Sequence, residues 1–457
     1  MKIGSIRMLG SFRRELQNEL LSFSPEEGAA FFAAKYFETR TKIVLLADKL
    51  IRTRETDYLH KSSVHLEVSP IYLSRVLNVV EDLRNTTAVM VHSHPLDTGK
   101  PRYSISDDYG EAVTSQTLST NLENHPPVGS VLVGENDLSG RVWSGIGNKK
   151  QHANVAVVDG TQLEYFPEGT RVESSARRVL DRQVKAIGTR TQIILEALDV
   201  GVVGLGGTGS NVAEQLARMG VRTLKLVDHD VLEASNLSRL YGSTWKDRSK
   251  GAYKADIVSS HLLRINPRIE CEPIRQSVMK KEVLELLAEC DVIFSCLDRH
   301  APRAVLNELS YQCFIPVIDV GVGLTRSDDS VTGGSVRATL IGPGLPCLLC
   351  NEIVRPEMIA AEHLSPSEYE SRRAEGYVAS LDQEVPSVLA YTTLASSLGT
   401  TLFLDLIGAA RSTNSASTIL IDLASKEVTK IRGTVKNDCV CLKRQGKGFD
   451  IPFSVSD

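Results

Sequence analysis

Six residues, Gly204-Leu205-Gly206-Gly207-Thr208-Gly209, leave the chain around them little freedom. They follow the apolar run VGVV, which reads as a strand, and precede NVAEQLARMG, whose apolar residues recur at helical spacing. A second strand, TLKLVD, comes next. Glycines in that setting let backbone N–H groups close on a phosphate at a helix N-terminus. The alternation then continues with a helix over Ala252–Ile265, a helix over Lys281–Glu289, the apolar strand DVIFSCL, a helix ending near Cys313, and the strand IPVIDVG. Strands alternating with helices predict an α/β fold, a doubly wound parallel sheet covered on both faces.

The whole chain has 457 residues, room for two or three domains. Residues 1–168 mix short strands with one long helical pattern, Pro70–Leu83, and with turn-rich loops such as LDTGKP and GENDLSG. Residues 169–198 are charged and helix-prone, a lead-in helix pair to the third region, 199–457. There Pro356–Gln383 is the most polar stretch and reads as a mobile crossover loop. No internal repeat stands out. A net charge of −4 gives no nucleic-acid footprint. The N-terminus lacks the apolar core of a secretion signal, and no run of about 18 apolar residues suggests a membrane span. The expectation is a cytoplasmic enzyme with its eight cysteines reduced.

Taken alone, the glycine loop with Asp228 at the end of the next strand suits a nicotinamide dehydrogenase equally well. The residues beyond it favour a triphosphate. Asp228-His229-Asp230 leads into Ser235-Asn236-Leu237-Ser238-Arg239, Lys254 follows, and Asp298 closes a later strand. Two cations can neutralise phosphates and an isolated carboxylate can hold magnesium. Singly each residue has a plainer reading: Lys254 as a solvated helix residue, Asp228 as a strand-end cap.

The run from about Asp181 to Gly408 resembles the ThiF/MoeB adenylating enzymes, which activate ubiquitin-like and sulfur-carrier proteins. The resemblance implies a Rossmann-like domain in which Gly204, Gly206, Gly207 and Gly209 cradle ATP beside Asp230. Asp228 would bind ribose; Asn236, Arg239 and Lys254 the phosphates; and Asp298 the Mg2+. Arg182 would reach the nucleotide, often from the other protomer of a homodimer. Leu240 departs from the pattern, since many relatives carry Gln there. The implied reaction joins the carboxylate of a C-terminal glycine to the α-phosphate of ATP, with the negative charge stabilised electrostatically.

Many relatives then capture the acyl group on a cysteine of the crossover loop. Between Asn351 and Asp438 this chain has none. Ser387, in Glu384-Val385-Pro386-Ser387-Val388, is a weak nucleophile without a base and suits a helix N-cap better. The acceptor is then a separate conjugating enzyme or a sulfur donor. Cys271, Cys290, Cys296 and Cys313 lie in apolar contexts and read as core residues. Cys347 and Cys350, with Cys439 and Cys441, form two close pairs that suit a structural tetrahedral Zn2+, against free thiols or a redox pair.

In the first region, His92-Ser93-His94 ends the apolar strand TTAVMV, and Ser104-Ile105-Ser106-Asp107 follows. Two histidines at i, i+2 can face one cation with a carboxylate as third ligand and water as fourth. The order resembles the JAMM metalloprotease motif of JAB/MPN domains, an α+β fold. That resemblance makes His92, His94 and Asp107 zinc ligands, Ser104 the oxyanion partner and Glu27 the general base, with Glu26 as fallback. Nine residues separate His94 from Ser104, two more than in the family's pattern, which a loop absorbs cheaply. A peptidase that exposes a terminal glycine and an enzyme that activates it form a coherent pair. The alternatives are an adenylating enzyme whose first domain only docks the partner, and a non-catalytic scaffold.

Overall fold

The computed structural model describes residues 2–21, 25–62, 66–95, 99–145, 147–168, 174–249, 251–327, 330–374, 387–409 and 416–454. Contacts divide the chain into two units. One holds residues 1–159, 163–171 and 445–451; the other holds 160–162, 172–444 and 452–457. Residues 445–451, left with the third region by the sequence reading, pack within the first unit. There Phe449 meets Phe37 edge-on at 5.1 Å and Asp450 pairs with Lys35 at 2.8 Å.

The first unit is built on β1 (Ile3–Leu9), β2 (Ala29–Glu38), β3 (Lys42–Ile51), β4 (Tyr58–Lys61), β5 (Leu66–Val68), β6 (Thr86–Ser93), β7 (Val128–Val133), β8 (Leu138–Trp143), β9 (Lys150–Asp159) and β10 (Gln162–Phe166). Its helices are α1 (Gly10–Leu21), α2 (Pro70–Glu81) and α3 (Ile105–Asn121). The main sheet runs β1-β3-β2-β6-β7-β8-β9-β10 and curls back through a β1–β9 pairing, while β4 and β5 form a separate hairpin. The reason is visible in β2, AAFFAA: Ala30, Phe32 and Ala34 enter one core and Phe31 and Ala33 the other. Side chains alternate across a strand, so an unbroken apolar run signals burial on both faces. Phe12, Leu16 and Leu20 of α1 cover the first face; Tyr72, Val76 and Val80 of α2 help to cover the second.

The helix expected over Pro70–Leu83 is α2, started by Pro70 at its first position and by the Ser69 hydroxyl accepting from the Tyr72 N–H. Helices α1 and α3 were not expected. The buried face of α3 is largely polar, with Glu111, Ser115 and Ser119 beside Leu118, so apolar periodicity does not reveal it.

In the second unit the lead-in pair is present as α4 (Ser174–Ile187) and α5 (Thr189–Ala197). Its strands are β11 (Asp199–Val203), β12 (Thr223–Val227), β13 (Glu270–Ile274), β14 (Val292–Ser295), β15 (Val317–Ser327), β16 (Ser330–Ile341), β17 (Thr418–Asp422) and β18 (Val428–Ile431). They form one sheet in the order β13-β12-β11-β14-β15-β16-β17-β18. The pairings are parallel from β13 to β15 and antiparallel from there to β18. Helices α6 (Gly207–Met219), α7 (Lys254–Ile265), α8 (Lys281–Leu287) and α9 (His300–Cys313) connect the parallel strands. The order reverses between β11 and β14, the place where doubly wound sheets open a crevice at their carboxyl ends.

The crossover stretch is not a loop throughout. It contains α10 (Pro356–Glu362) and α11 (Pro366–Ala374), each led by a proline, and residues 375–383 lie outside the described residues. The Glu362 carboxylate accepts from the backbone of His300 and Ala301, capping α9 at 2.8 Å each. Helices α12 (Leu389–Leu406) and α13 (Val440–Lys443) complete the unit. Among the described residues no helix is long and apolar enough to cross a membrane.

Candidate functional site

The crevice of the second unit encloses about 460 Å³ and is lined by Gly204, Gly206, Gly207, Asp228, Asp230, Asn236, Arg239, Lys254 and Asp298, among others. Gly204 carries the chain out of β11 at φ +84°, a conformation that favours glycine. A Cβ on Gly209 would stand 1.8 Å from the Gly204 carbonyl oxygen, so the turn closes only without one. At Gly206, the N-cap of α6, a Cβ would meet nothing within 4 Å; that open space over a helix N-terminus can take a phosphate.

Asp228 is buried and holds the loop: its carboxylate accepts from the Leu205 N–H at 2.6 Å and the Asp230 N–H at 2.9 Å. Burial pushes its acid up from the usual range, against the pull of those two N–H groups and of Lys254. Lys254 Nζ pairs with Asp230 at 2.7 Å, which keeps the amine at the crevice. Arg239 donates to the Ser235 carbonyl at 3.0 Å, and its side chain passes beside Gly207. Asn236 is buried and accepts from the Glu233 N–H at 3.2 Å. Asp298 is exposed at the mouth, and no side chain among the described residues pairs with it. Leu240 is buried, 4% exposed, and also lines the crevice.

Arg182 does not join them. It is exposed on α4 and does not line the crevice of its own chain. Ser387 lines the crevice but is not the cap expected of it; the helix begins later, with Val388 at the N-cap of α12. Cys296 is not simply core either, since it lines the crevice, where burial raises its thiol and keeps it a poor nucleophile. Cys271 is half-buried rather than core, and burial pushes its thiol up to about 12. Cys290 and Cys313 are buried as expected. The sequence reading missed Arg303, Gly321 and Thr392, which also line the crevice. Thr392 and Ser396 of α12 reach the glycine loop, the Ser396 hydroxyl donating to the Thr208 carbonyl at 2.8 Å.

The cysteine pairs meet elsewhere in this unit. Cys347 Sγ lies 3.6 Å from Cys350 Sγ and 3.7 Å from Cys439 Sγ. These three could hold one metal ion. Cys441 is buried in the same cluster, its sulfur accepting from Asn307 Nδ2 at 2.9 Å. A hydrogen bond from Cys441, aided by the Cys350 N–H, lowers the Cys347 thiol, the direction a metal ligand requires.

In the first unit, β6 delivers His92 and the first turn of α3 delivers Asp107. His92 Nε2 lies 3.4 Å from Asp107 Oδ1, and His94 Nε2 lies 3.7 Å from Asp107 Oδ2. Their ligand atoms fall within 4.8 Å of one another. His92 Nε2 is buried and makes no hydrogen bond, an orphan that a cation would satisfy. Although burial opposes it, His92 and the Ser104 N–H hold the Asp107 carboxyl below its usual range. Glu27, on the strand-like approach to β2, reaches His94 Nε2 at 3.7 Å. The Ser93 hydroxyl accepts from the Gly28 N–H at 2.9 Å and fixes that approach. Glu26 turns instead to Lys61. Ser104 caps α3: its hydroxyl accepts from the Asp107 N–H at 3.1 Å.

The second unit is thus a Rossmann-like α/β body with its crevice at the topological switch point. Residues 180–441, over half of the chain, match the ThiF family, and the chain belongs to that family. It is 38% identical over 124 residues to the adenylyltransferase and sulfurtransferase MOCS3 of Mus musculus, across 27% of this chain and 26% of that protein. It is 29% identical over 183 residues to the SAMP-activating enzyme E1 of Haloferax volcanii, across 40% of this chain and 63% of that protein. The chain therefore spans about a quarter of the first relative and less than two thirds of the second. The crystal structure of E. coli MccB with ATP superposes with a TM-score of 0.45 at 18% identity, over 62% of this chain and 77% of that one.

Proposed function

We propose that the second unit uses ATP to adenylate the C-terminal glycine of a ubiquitin-like or sulfur-carrier protein. The convergence of the glycine loop, Asp228, Asn236, Arg239, Lys254 and Asp298 on one crevice carries this reading. Membership of the ThiF family supports it, as do relatives named as an adenylyltransferase and an activating enzyme. ATP is a substrate here. Its phosphates lie along the N-terminus of α6, Asp228 meets the ribose, and Arg239 and Lys254 neutralise the β- and γ-phosphates. Mg2+, which Asp298 is free to hold, supplies further charge neutralisation. A carboxylate oxygen of the terminal glycine bonds to the α-phosphorus, the bond to the bridging oxygen breaks, and pyrophosphate leaves with that electron pair. Arg182 comes from a second copy in a homodimer. With no cysteine between Asn351 and Asp438, the acyl group passes to a separate conjugating enzyme or sulfur donor. The four cysteines hold a structural Zn2+, with no open position for catalysis.

The first unit is read as a JAB/MPN zinc peptidase that trims or deconjugates the same partner. The unsatisfied His92 Nε2, facing Asp107 and flanked by His94, fits a metal ligand set. Bound zinc supplies Lewis acidity. Glu27 receives the proton of the attacking water and passes it to the leaving amine, and the Ser104 hydroxyl donates to the oxyanion. As the α3 cap the Ser104 oxygen only accepts, which leaves its proton for the oxyanion; in a second reading this unit only docks the partner. Cleavage of a C-terminally tailed partner that His94→Ala abolishes supports the peptidase; no cleavage by zinc-loaded protein supports docking.

Intact-mass analysis tests the main reading. A glycine-ended partner incubated with the full chain, ATP and magnesium should gain the mass of one adenylyl group, AMP less one water. ATP turnover that never marks the C-terminus would sink it.

A further inference from the structure

The crevice has a second cationic end that none of these roles uses. Arg303, in the first turn of α9, lines it, and so does Gly321 of β15. Gly321 pairs in register with Arg337 on the neighbouring β16. Two residues before Gly321, on the same face of the strand, stands the fully buried Asp319. Its Oδ2 lies 2.6 Å from Arg337 Nη2 and its Oδ1 lies 3.2 Å from Arg303 Nε. The Ser295 hydroxyl donates to Oδ1 at 2.8 Å.

One carboxylate against two guanidiniums leaves one positive charge in excess. The arginine side chains are only 12% and 16% exposed, so water does little to offset that charge. Arg303 Nε is buried and, despite its ion pair, forms no hydrogen bond. The geometry shows where an anion would sit. A Cβ placed on Gly321 would lie 3.2 Å from Arg337 Nη2 and 3.4 Å from Arg303 Nη2. The terminal nitrogens of two arginines therefore face one carbon-sized space, open only because residue 321 is glycine. Arg337 Nη1 already donates to the Thr339 hydroxyl at 2.8 Å and Nη2 to Asp319 at 2.6 Å, so a carboxylate there would take the second N–H of Nη2 together with an N–H of Arg303 Nη2. The phosphates of ATP have their own cations at the glycine loop, so this pair is left for the other reactant. Beside it, β15 pairs with β14 only as far as Asp319. Past that residue its β14-side edge has no strand partner among the described residues and offers backbone groups to an extended tail.

We propose that Arg303 and Arg337, pinned by Asp319, form a carboxylate subsite that holds the free C-terminal glycine of the protein substrate beside ATP. The assignment rests on the adenylating reading of the same crevice. Both arginines act by binding and orientation. The absence of a side chain at Gly321 admits a glycine tail and would crowd a bulkier terminal residue.

The test is a titration of the full chain, without ATP, with a synthetic peptide ending in Gly-Gly as the free acid and as the C-terminal amide. Wild type should bind the acid at least about tenfold tighter than the amide. Gly321→Ala, which fills the space in front of both guanidiniums, and Arg337→Gln, which removes one, should each erase that preference. ATP affinity should stay within about twofold of wild type, since its phosphates are held elsewhere. If Arg337→Gln fails to fold, Gly321→Ala carries the test, because the added methyl asks the Arg337 end to give by only a few tenths of an ångström and the position needs no positive φ. Equal binding of acid and amide by wild type, binding of neither, or a preference that survives Gly321→Ala overturns the proposal. A wild type that prefers the acid but binds no ATP keeps the subsite and sinks the adenylating reading. One that binds ATP and exchanges pyrophosphate without preferring the acid does the reverse.

Discussion

Lys254 shows how much a single residue says before a structure exists. In the sequence it is one lysine in GAYKAD; only the glycine loop and Asp228 upstream give it a partner to act on. Its ion pair with Asp230 keeps the amine at the crevice, so Lys254→Ala should lower kcat/KM for ATP by roughly 10²-fold, read in steady-state kinetics. Gly209→Ala acts by a different route. Its Cβ would overlap the Gly204 carbonyl, and the cost should reach about 1–3 kcal/mol in equilibrium unfolding, together with lost ATP binding. Asp319 predicts a pH dependence. Burial alone would raise its acid, but Arg303, Arg337 and the Ser295 hydroxyl hold it below the ordinary 3.8, while Asp319 in turn adds to burial in raising the Cys296 thiol. A depressed acid stabilises the fold fully above its unfolded value and loses that contribution as pH falls through its folded one. The stability difference between wild type and Asp319→Asn should therefore be flat above about pH 4 and shrink in more acid solution. A difference that grows on acidification would contradict it. The glycine loop and the His-Ser-His pair were legible because each signal is local. The Arg303–Asp319–Arg337 cluster was not, because its members lie on three elements and no short spacing joins them.

At the scale of elements, periodicity gave away what is amphipathic and hid what is not. The helices and strands around the glycine loop follow from their patterns, and α2 follows from its proline and serine start. α3 stayed hidden because its inner face carries Ser119 together with Glu111 and Ser115, the last two satisfied by Ser130, Arg141 and Asn148. α10 and α11 stayed hidden because short polar helices depend on what they touch. Glu362 of α10 caps α9, so Glu362→Ala should destabilise the protein by about 0.5–2 kcal/mol, seen as a lower melting temperature. The cysteine cluster ties Cys347 and Cys350 to the segment carrying Cys439 and Cys441. Chelation, or Cys350→Ser, should remove one zinc per chain and lower the melting temperature by several degrees. An unchanged metal count would remove zinc from the account.

Across the whole molecule, the candidate residues fall into two sets, the His-Ser-His cluster in the first unit and the glycine-loop residues in the second, and the proposed reading gives each set its own chemistry. Their signals should be separable. Glu27→Gln should abolish cleavage of a tailed partner and leave its adenylation, once trimmed, near the wild-type rate. Lys254→Ala should do the opposite. The central claim is adenylation, and ATP–pyrophosphate exchange tests it most directly. Full-length wild type with magnesium and a ubiquitin-like protein ending in glycine should return labelled pyrophosphate to ATP, and Lys254→Ala should suppress that return by roughly 10²-fold. Exchange that proceeds unchanged without Lys254, or never appears while ATP and the partner are both bound, would contradict the account.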